Sequence, residues 1–190
     1  MPNRNAGKTT PVQKVRGQAC FIKAPDGKFI DNIDTDMIFH NAHLAVTDIS
    51  QMGQYALGNL SGWTHFPSIA SKFEVLVVGS NFGAGSSRQQ AVDCFKALGI
   101  RAILAQSFAP IYFRNAVNSG MFVLTYENAC PEARSLLESL QDGVELSLTP
   151  TTGEVALLGG KTLKCDPLPS VLVSITAAGG LFEYAREKGW

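Results

Sequence analysis

The sequence has no surplus of either charge. Lysine plus arginine and aspartate plus glutamate stand at 16 each, a formal net charge of zero. A nucleic-acid partner usually leaves a basic excess, so this balance argues against one. It leaves a small anionic ligand open, because that needs only local charge. Metal-ligand spacing is missing as well. Cys20, Cys94, Cys130 and Cys165 form no CxxC pair, and His40, His43 and His65 supply neither HxxxH nor HExxH. A metal centre built by this chain alone is therefore not expected. The cysteines read as reduced, partly buried thiols of an intracellular protein. No apolar run approaches the ~20 residues of a membrane helix. The opening MPNRNAGKTTPVQKVRG is polar and lacks the apolar segment of a secretory signal. The cytoplasm or an organelle matrix is the expected location.

What is present suffices for a core. Of 190 residues, 45% are hydrophobic and 17% charged, which fits one ordinary domain and excludes global disorder. Residues 1–15 are expected to form a flexible tail, and residues 16–190 the domain. RGQACFIK, residues 16–23, reads as a strand, followed by a turn at Pro25-Asp26-Gly27. DNIDTDMIF, residues 31–39, is an acidic loop running into a short apolar piece. A helix is expected over Asp48–Gly58, capped by Thr47 or Asp48, with a loop after it.

The middle of the chain alternates. FEVLVVGS, RAILAQ and MFVLTY are continuous apolar runs of the kind buried on both faces of a parallel sheet. Between them, helices are expected over Ser87–Leu98 and over SFAPIYFRNAVNSG, with Ser107 as a cap and Pro110 in the first turn. This β-α-β-α-β order implies parallel strands with right-handed crossovers. A helix over Cys130–Gln141 follows, then three short strands separated by Asp-Gly and Gly turns, read as antiparallel. The chain closes with one helix, or two broken at Gly179-Gly180. The residues alone leave a three-layer α/β arrangement or a small barrel-like sheet open.

The chemistry concentrates at GAGSSR, Gly83–Arg88, a strand-turn-helix junction. Gly79, Gly83 and Gly85 permit positive φ and a close backbone approach to a ligand. Ser86 with Gln89, and Ser87 with Gln90, both fit the S-x-x-Q capping box. A helix N-terminus attracts anions, and the planar fork of Arg88 suits a carboxylate or phosphate. The stretch is neither GxxxxGK[ST] nor GxGxxG with a later acidic residue, and it lacks the GxSxG of a hydrolase elbow. On pattern alone the junction is an anion site or a plain helix cap.

NFGAGSSRQQA, followed by GIRAILAQSFAPIYFRNAVNSGMFVLTY, resembles the swivel domain of the aconitase superfamily. It is most similar to the separate small subunits of isopropylmalate isomerase and homoaconitase. DNIDTDMIF matches the family's D-x-I-x-T-D loop, and DGVELSL, GEVALLGGKTLKCDPLP and AGGLFEYAREK match its C-terminal end. The likeness covers roughly residues 15 to 188 in the family's order. It implies an aconitase-type swivel domain, a three-layer β/β/α fold with a mixed sheet around the parallel core. It further implies a hydro-lyase that moves a hydroxyl between adjacent carbons of a hydroxy acid by dehydration and rehydration.

By this resemblance Ser86 takes the proton as an alkoxide, Ser87 and Arg88 hold a substrate carboxylate, and Asp36 is an active-site aspartate. The Lewis acid for the leaving hydroxide is a 4Fe–4S cluster held by three cysteines of a larger partner subunit. The chain itself is expected to bind no metal and to be inert alone. Two departures stand out: Ala84 where the family often has cysteine, and Gln89-Gln90 where it usually has glutamate and histidine.

The family's specificity loop corresponds to His43, Leu44, Ala45 and Val46. Ala45 and Val46 cannot pair with a third carboxylate, and apolar residues suit an alkyl group, at about 0.8 kcal/mol per buried methylene. The expected reaction is 2-isopropylmalate to 3-isopropylmalate in leucine biosynthesis. Homoaconitate, dimethylmalate and citramalate chemistries are the alternatives within the family. Outside it stand a non-catalytic anion-binding module and a partner subunit that has lost catalysis.

Overall fold

Leu76 and Val78 face one core, and Val75 and Val77 face another; all four are fully buried. A strand apolar at every position is what a two-sided core demands. The computed structural model describes residues 14–126, 130, 132–157 and 159–190. Most of the expected tail lies outside these residues, and the first strand already opens at Val15.

The elements run in the order β1 (Val15–Phe21), α1 (Thr35–Ile38), α2 (Ile49–Met52), α3 (Phe66–Ile69), β2 (Val75–Val78), α4 (Gln90–Ala97), β3 (Ala102–Ala105), α5 (Pro110–Asn118), β4 (Phe122–Thr125), α6 (Ala133–Glu138), β5 (Glu145–Thr149), β6 (Glu154–Leu157), β7 (Thr162–Lys164), α7 (Ser170–Ala177) and α8 (Leu181–Lys188). The seven strands form one mixed sheet in the order β4-β3-β2-β1-β5-β6-β7. β1 to β4 pair in parallel, with Ala19 opposite Val75 and Val75 opposite Ala102. β5 joins the other edge of β1 antiparallel, and β6 and β7 continue as a meander.

Leu146, Leu148, Val155 and Leu163 from the meander share a core with Val75, Val77 and Leu104. The sheet therefore curls over its own face, and this gives the expected three-layer β/β/α arrangement. The opposite face carries Leu76, Val78 and Ile103 against Val92 and Phe95 of α4 and Tyr112 and Ala116 of α5. No helix among the described residues is long and apolar enough to cross a membrane.

Several helix bounds differ from the sequence expectation. The helix expected over Asp48–Gly58 does start at an Asp48 cap but ends at Met52 and continues as a 3-10 turn, Gly53–Tyr55. Gly53 is packed so close to Leu98 that an added Cβ would lie 2.9 Å from its Cδ2. Contact with α4, not local propensity, bends the chain there. The stretch expected as a loop after Gly58 contains α3. The helix expected from Cys130 spans only Ala133–Glu138, and Pro131 lies outside the described residues. The C-terminal segment is two helices, broken where Gly179 and Gly180 take φ of 95° and 140°. Ser107 caps nothing: its Oγ accepts from the Asn81 amide at 2.9 Å, and Ala109 holds the N-cap position of α5.

Candidate active site

The loops that leave β1, β2 and β3 at their carboxyl ends keep pairing beyond the sheet. Asn32 N donates to Ser80 O at 2.9 Å, Gly83 N to Ile33 O at 2.8 Å and Thr35 N to Ala84 O at 2.8 Å. Phe82 bridges Phe108 of the loop after β3. In open parallel sheets this end of the strands is where ligands bind. Gly79 and Gly83 serve close packing within the chain. An added Cβ on Gly79 would lie 2.2 Å from Asp31 Oδ1, and one on Gly83 would lie 2.1 Å from Tyr112 Cγ. Gly83 and Gly85 have positive φ, as the sequence suggests; Gly79 does not.

Neither capping box forms. α4 begins at Gln90, with Gln89 at the N-cap making no side-chain bond to the helix amides. Ser86 and Ser87 precede it on an exposed turn. Ser86 is tied elsewhere: its amide donates to Thr35 Oγ1 at 3.2 Å, and its Oγ lies 3.0 Å from the same oxygen. Ser87 O accepts from Asn115 Nδ2 of α5 at 3.2 Å. The amides of Ser87, Arg88, Gln89 and Gln90 donate to no protein acceptor among the described residues, so the junction keeps free N–H groups for an anion.

Arg88 is largely buried, with 14% of its side chain exposed. Its Nη1 makes three bonds: to Asp36 Oδ1 at 2.9 Å, Phe39 O at 2.7 Å and Thr35 O at 3.3 Å. Nε and Nη2 donate to nothing among the described residues. Asp36 is a hub. Beside Arg88, its Oδ1 accepts from Asn41 N at 3.0 Å and its Oδ2 from Asn59 Nδ2 at 3.0 Å, with His40 Nε2 at 3.9 Å. The Arg88 hydrogen bond, helped by the Asn41 amide, holds the Asp36 carboxyl below its ordinary pKa against a smaller opposing effect of burial. Asp36 is thus an anion at neutral pH whose acceptor capacity is shared among Arg88, the Asn41 amide and Asn59.

The expected specificity residues lie beside this cluster. Asn41–His43 form a 3-10 turn whose N-cap is His40. The His43 ring stacks on Tyr55, centroids 4.0 Å apart, and meets the edge of Phe39 at 6.2 Å. It is half-buried packing. Leu44 and Ala45 are exposed, and Val46 packs on the core. Gln90 Nε2 reaches Leu44 O at 3.5 Å, while Gln89 Nε2 bonds Asp93 Oδ1 at 3.0 Å and Ser119 Oγ at 2.6 Å. The Gln-Gln pair therefore links α4 to the Leu44 backbone on one side and to the end of α5 on the other. Thr35, Asn59 and Asn115 are the site residues missed from the sequence. Thr35 stands inside the D-x-I-x-T-D match and Asn115 inside SFAPIYFRNAVNSG, so both lay in recognised motifs; nothing local marks Asn59.

Asp31, the first aspartate of the loop, is anchored from behind. Arg134 of α6 bonds its Oδ1 and Oδ2 at 2.9 and 3.2 Å, Gln106 Oε1 at 2.6 Å and Glu138 Oε1 at 2.9 Å. Burial raises the pKa of both carboxyls. The bonds from Arg134 and the Ser80 amide overcome this at Asp31; those from the Phe29 amide, Lys28 and Arg134 overcome it at Glu138. Both folded-state values end below the ordinary ones, so their contribution is present above the unfolded carboxylate range, about pH 4, and is lost as pH falls below it. Asp31 is 36% exposed, so solvent screens part of the effect. Arg134→Met is expected to cost about 2 kcal/mol at pH 7. Urea melts at several pH values should show that difference shrinking as pH drops through 4 towards 3.

Three of the four cysteines are unsuited to a metal cluster. Cys20, Cys94 and Cys165 are buried free thiols. Burial is the main cause that pushes their pKa up, to about 12 for Cys165 and further for the other two. Among the described residues no three potential ligands come together.

Comparison with known proteins gives a consistent result. The aconitase C-terminal domain family matches residues 63–129. The chain is 37% identical over 166 residues to the 3-isopropylmalate dehydratase small subunit of Saccharolobus islandicus (strain M.14.25 / Kamchatka #1), covering 87% of this chain and 94% of that one. It is 38% identical over 166 residues to the protein of that name from Sulfolobus acidocaldarius, covering 87% and 98%. Its fold is similar to the crystal structure of 3-isopropylmalate dehydratase, LeuD, from Methanocaldococcus jannaschii, with a TM-score of 0.76 and 31% identity over 93% of this chain and 96% of that one.

Proposed function

The chain belongs to the family of 3-isopropylmalate dehydratase small subunits, and from that premise we propose how its residues divide the hydro-lyase reaction. The reaction is the isomerisation of 2-isopropylmalate to 3-isopropylmalate, a step of leucine biosynthesis, catalysed together with a large subunit. Ser86 is the base. Its Oγ gives up its own proton to solvent and, as alkoxide, takes the C–H proton; the C–H electron pair becomes the alkene bond, and hydroxide leaves the neighbouring carbon. Rehydration of the alkene with the opposite orientation returns the Ser86 proton to carbon. One observation carries this reading: the exposed Ser86 hydroxyl lies 3.0 Å from the Thr35 hydroxyl and is followed within the same turn by Arg88, whose guanidinium Asp36 holds in place.

Arg88 and Ser87 hold a substrate carboxylate, through Nε and Nη2 of the guanidinium, the Ser87 hydroxyl and the free amides of the turn. Asp36 positions Arg88. Leu44, Ala45 and Val46 form the apolar side that takes the isopropyl group, on a turn packed through His43. The 4Fe–4S cluster, expected to accept the hydroxide, is assigned to the large subunit, because Cys20, Cys94 and Cys165 are buried thiols and no three potential ligands come together among the described residues. The place of action is the cytoplasm.

A serine alkoxide is unfavourable in water, and Ser86 is exposed in this chain. The large subunit must therefore close over the turn. The chain alone is expected to show no turnover. The reconstituted complex should prefer isopropylmalate to homoaconitate, citrate, citramalate and dimethylmalate in kcat/KM. Preference for a tricarboxylate would overturn the reading of residues 43–46, and turnover by the isolated chain would overturn the division of labour.

A further inference from the structure

Thr35 is 2% exposed, and among the described residues its hydroxyl bonds only Ser86. Geometry alone lets either oxygen donate across the 3.0 Å contact. Counting protons decides. Thr35 Oγ1 already accepts from the Ser86 amide, and its single proton has no other acceptor among the described residues. If Ser86 donated, a buried hydroxyl proton would be orphaned, which is costly. Ser86 suffers no such penalty, since it faces the open side, where solvent or substrate accepts its proton. The arrangement that satisfies every group has Thr35 donating inwards to Ser86 Oγ, and the Ser86 proton pointing out towards the substrate.

We infer that the Thr35 hydroxyl is a catalytic group, the fixed donor that stabilises Ser86 Oγ once its proton has gone; this rests on Ser86 being the base. The same O–H that satisfies the neutral serine donates to the alkoxide, where the bond becomes charge-assisted and stronger. Nothing has to reorient at the moment of proton transfer, and this is the condition under which such donors act most strongly. The donor is also rigid. The Thr35 amide is bonded to Ala84 O, Asp34 Oδ1 caps the turn by accepting from the Asp36 and Met37 amides, and a β-branched side chain has few χ1 choices. The Arg88 guanidinium bonds the Thr35 carbonyl, which places a positive charge beside the developing anion.

The test uses the reconstituted two-subunit enzyme with T35V, T35S and S86A small subunits. Valine keeps the buried shape and removes the hydroxyl. T35V is expected to lower kcat on the order of 100-fold, the effect of losing one such donor, with KM little changed. Because the base would then deprotonate less readily, the acid limb of the kcat/KM profile should move to higher pH. T35S should keep the parent profile and most of the rate. A T35V enzyme with parental kcat and an unmoved acid limb overturns the inference, and so does T35S being as impaired as T35V. Should T35V fail to assemble with the large subunit, T35S against T35A decides: clearly faster turnover by T35S supports the role, and equal rates overturn it. S86A separates the two readings. If S86A turns over, the assignment of the base falls; if S86A is dead while T35V matches the parent, Ser86 stands and Thr35 does not.

Discussion

Replacing Ser86 by alanine is expected to abolish turnover of the two-subunit enzyme, by about 10⁴-fold in kcat, the upper range for a positioned general base. The substitution removes one oxygen from an exposed side chain. The Ser86 amide still donates to Thr35 Oγ1, so the turn keeps its tie to α1, and nothing in either core touches the lost atom. The buried Thr35 proton loses its acceptor, so stability should fall by about 1 kcal/mol, while assembly with the large subunit should be unchanged, as read by thermal melting and co-purification. The loss should be the same for dehydration of 2-isopropylmalate, dehydration of 3-isopropylmalate and hydration of the alkene acid, because one group moves the proton in all three. Binding of substrate should survive, since the carboxylate contacts assigned to Ser87 and Arg88 remain. A variant that keeps more than about a tenth of the parental kcat would remove Ser86 from the proton transfer.

The fold was legible where burial is two-sided and the site was legible where a motif carried it, and the failures share one cause. β2, β3 and β4 are runs apolar at every position, and only a sheet covered on both faces accounts for them, so their parallel pairing could be read off. The meander could be read from its Asp-Gly and Gly turns. Ser86 with Gln89 and Ser87 with Gln90 looked like capping boxes because the spacing is right locally. The chain instead spends the Ser86 amide on Thr35, whose sequence separation from it is 51, and delays the helix to Gln90. The same holds for Ser107, drawn to Asn81, and for the glycines, which make room for Asp31 and Tyr112. Gln89 and Gln90 are inexplicable along the chain and simple in space, where their amides meet Ser119 and Leu44 O. The family match places His43 in its loop, and the position of its ring is decided by Tyr55 and Phe39. The family resemblance named the residues proposed to do chemistry; the partners that orient them come from other loops, and no spacing rule within one segment reports them.

Arg88→Lys is the second variant with a large expected effect, and its outcome turns on geometry rather than charge. In the parent, Nη1 alone satisfies Asp36 Oδ1, Phe39 O and Thr35 O, which leaves Nε and Nη2 for a substrate carboxylate. A lysine has three donors on a single nitrogen. If that ammonium reaches the three internal acceptors it has nothing left for the substrate; if it turns to the substrate it leaves the Phe39 carbonyl without a donor, while Thr35 O keeps the Phe39 amide and Asp36 keeps Asn41 and Asn59. Either way the planar fork is gone while the net charge is kept. kcat/KM is expected to fall about 10³-fold, equivalent to about 4 kcal/mol, with the larger share in KM because the lost contact is to a carboxylate present in substrate and transition state alike. The fold should lose little, since Asp36 is 36% exposed and keeps the Asn41 and Asn59 donors. Steady-state kinetics at saturating and limiting isopropylmalate separate the two terms. An unchanged KM with a collapsed kcat would move Arg88 from holding the carboxylate to stabilising the Ser86 anion, beside Thr35; parental values of both would remove it from the site.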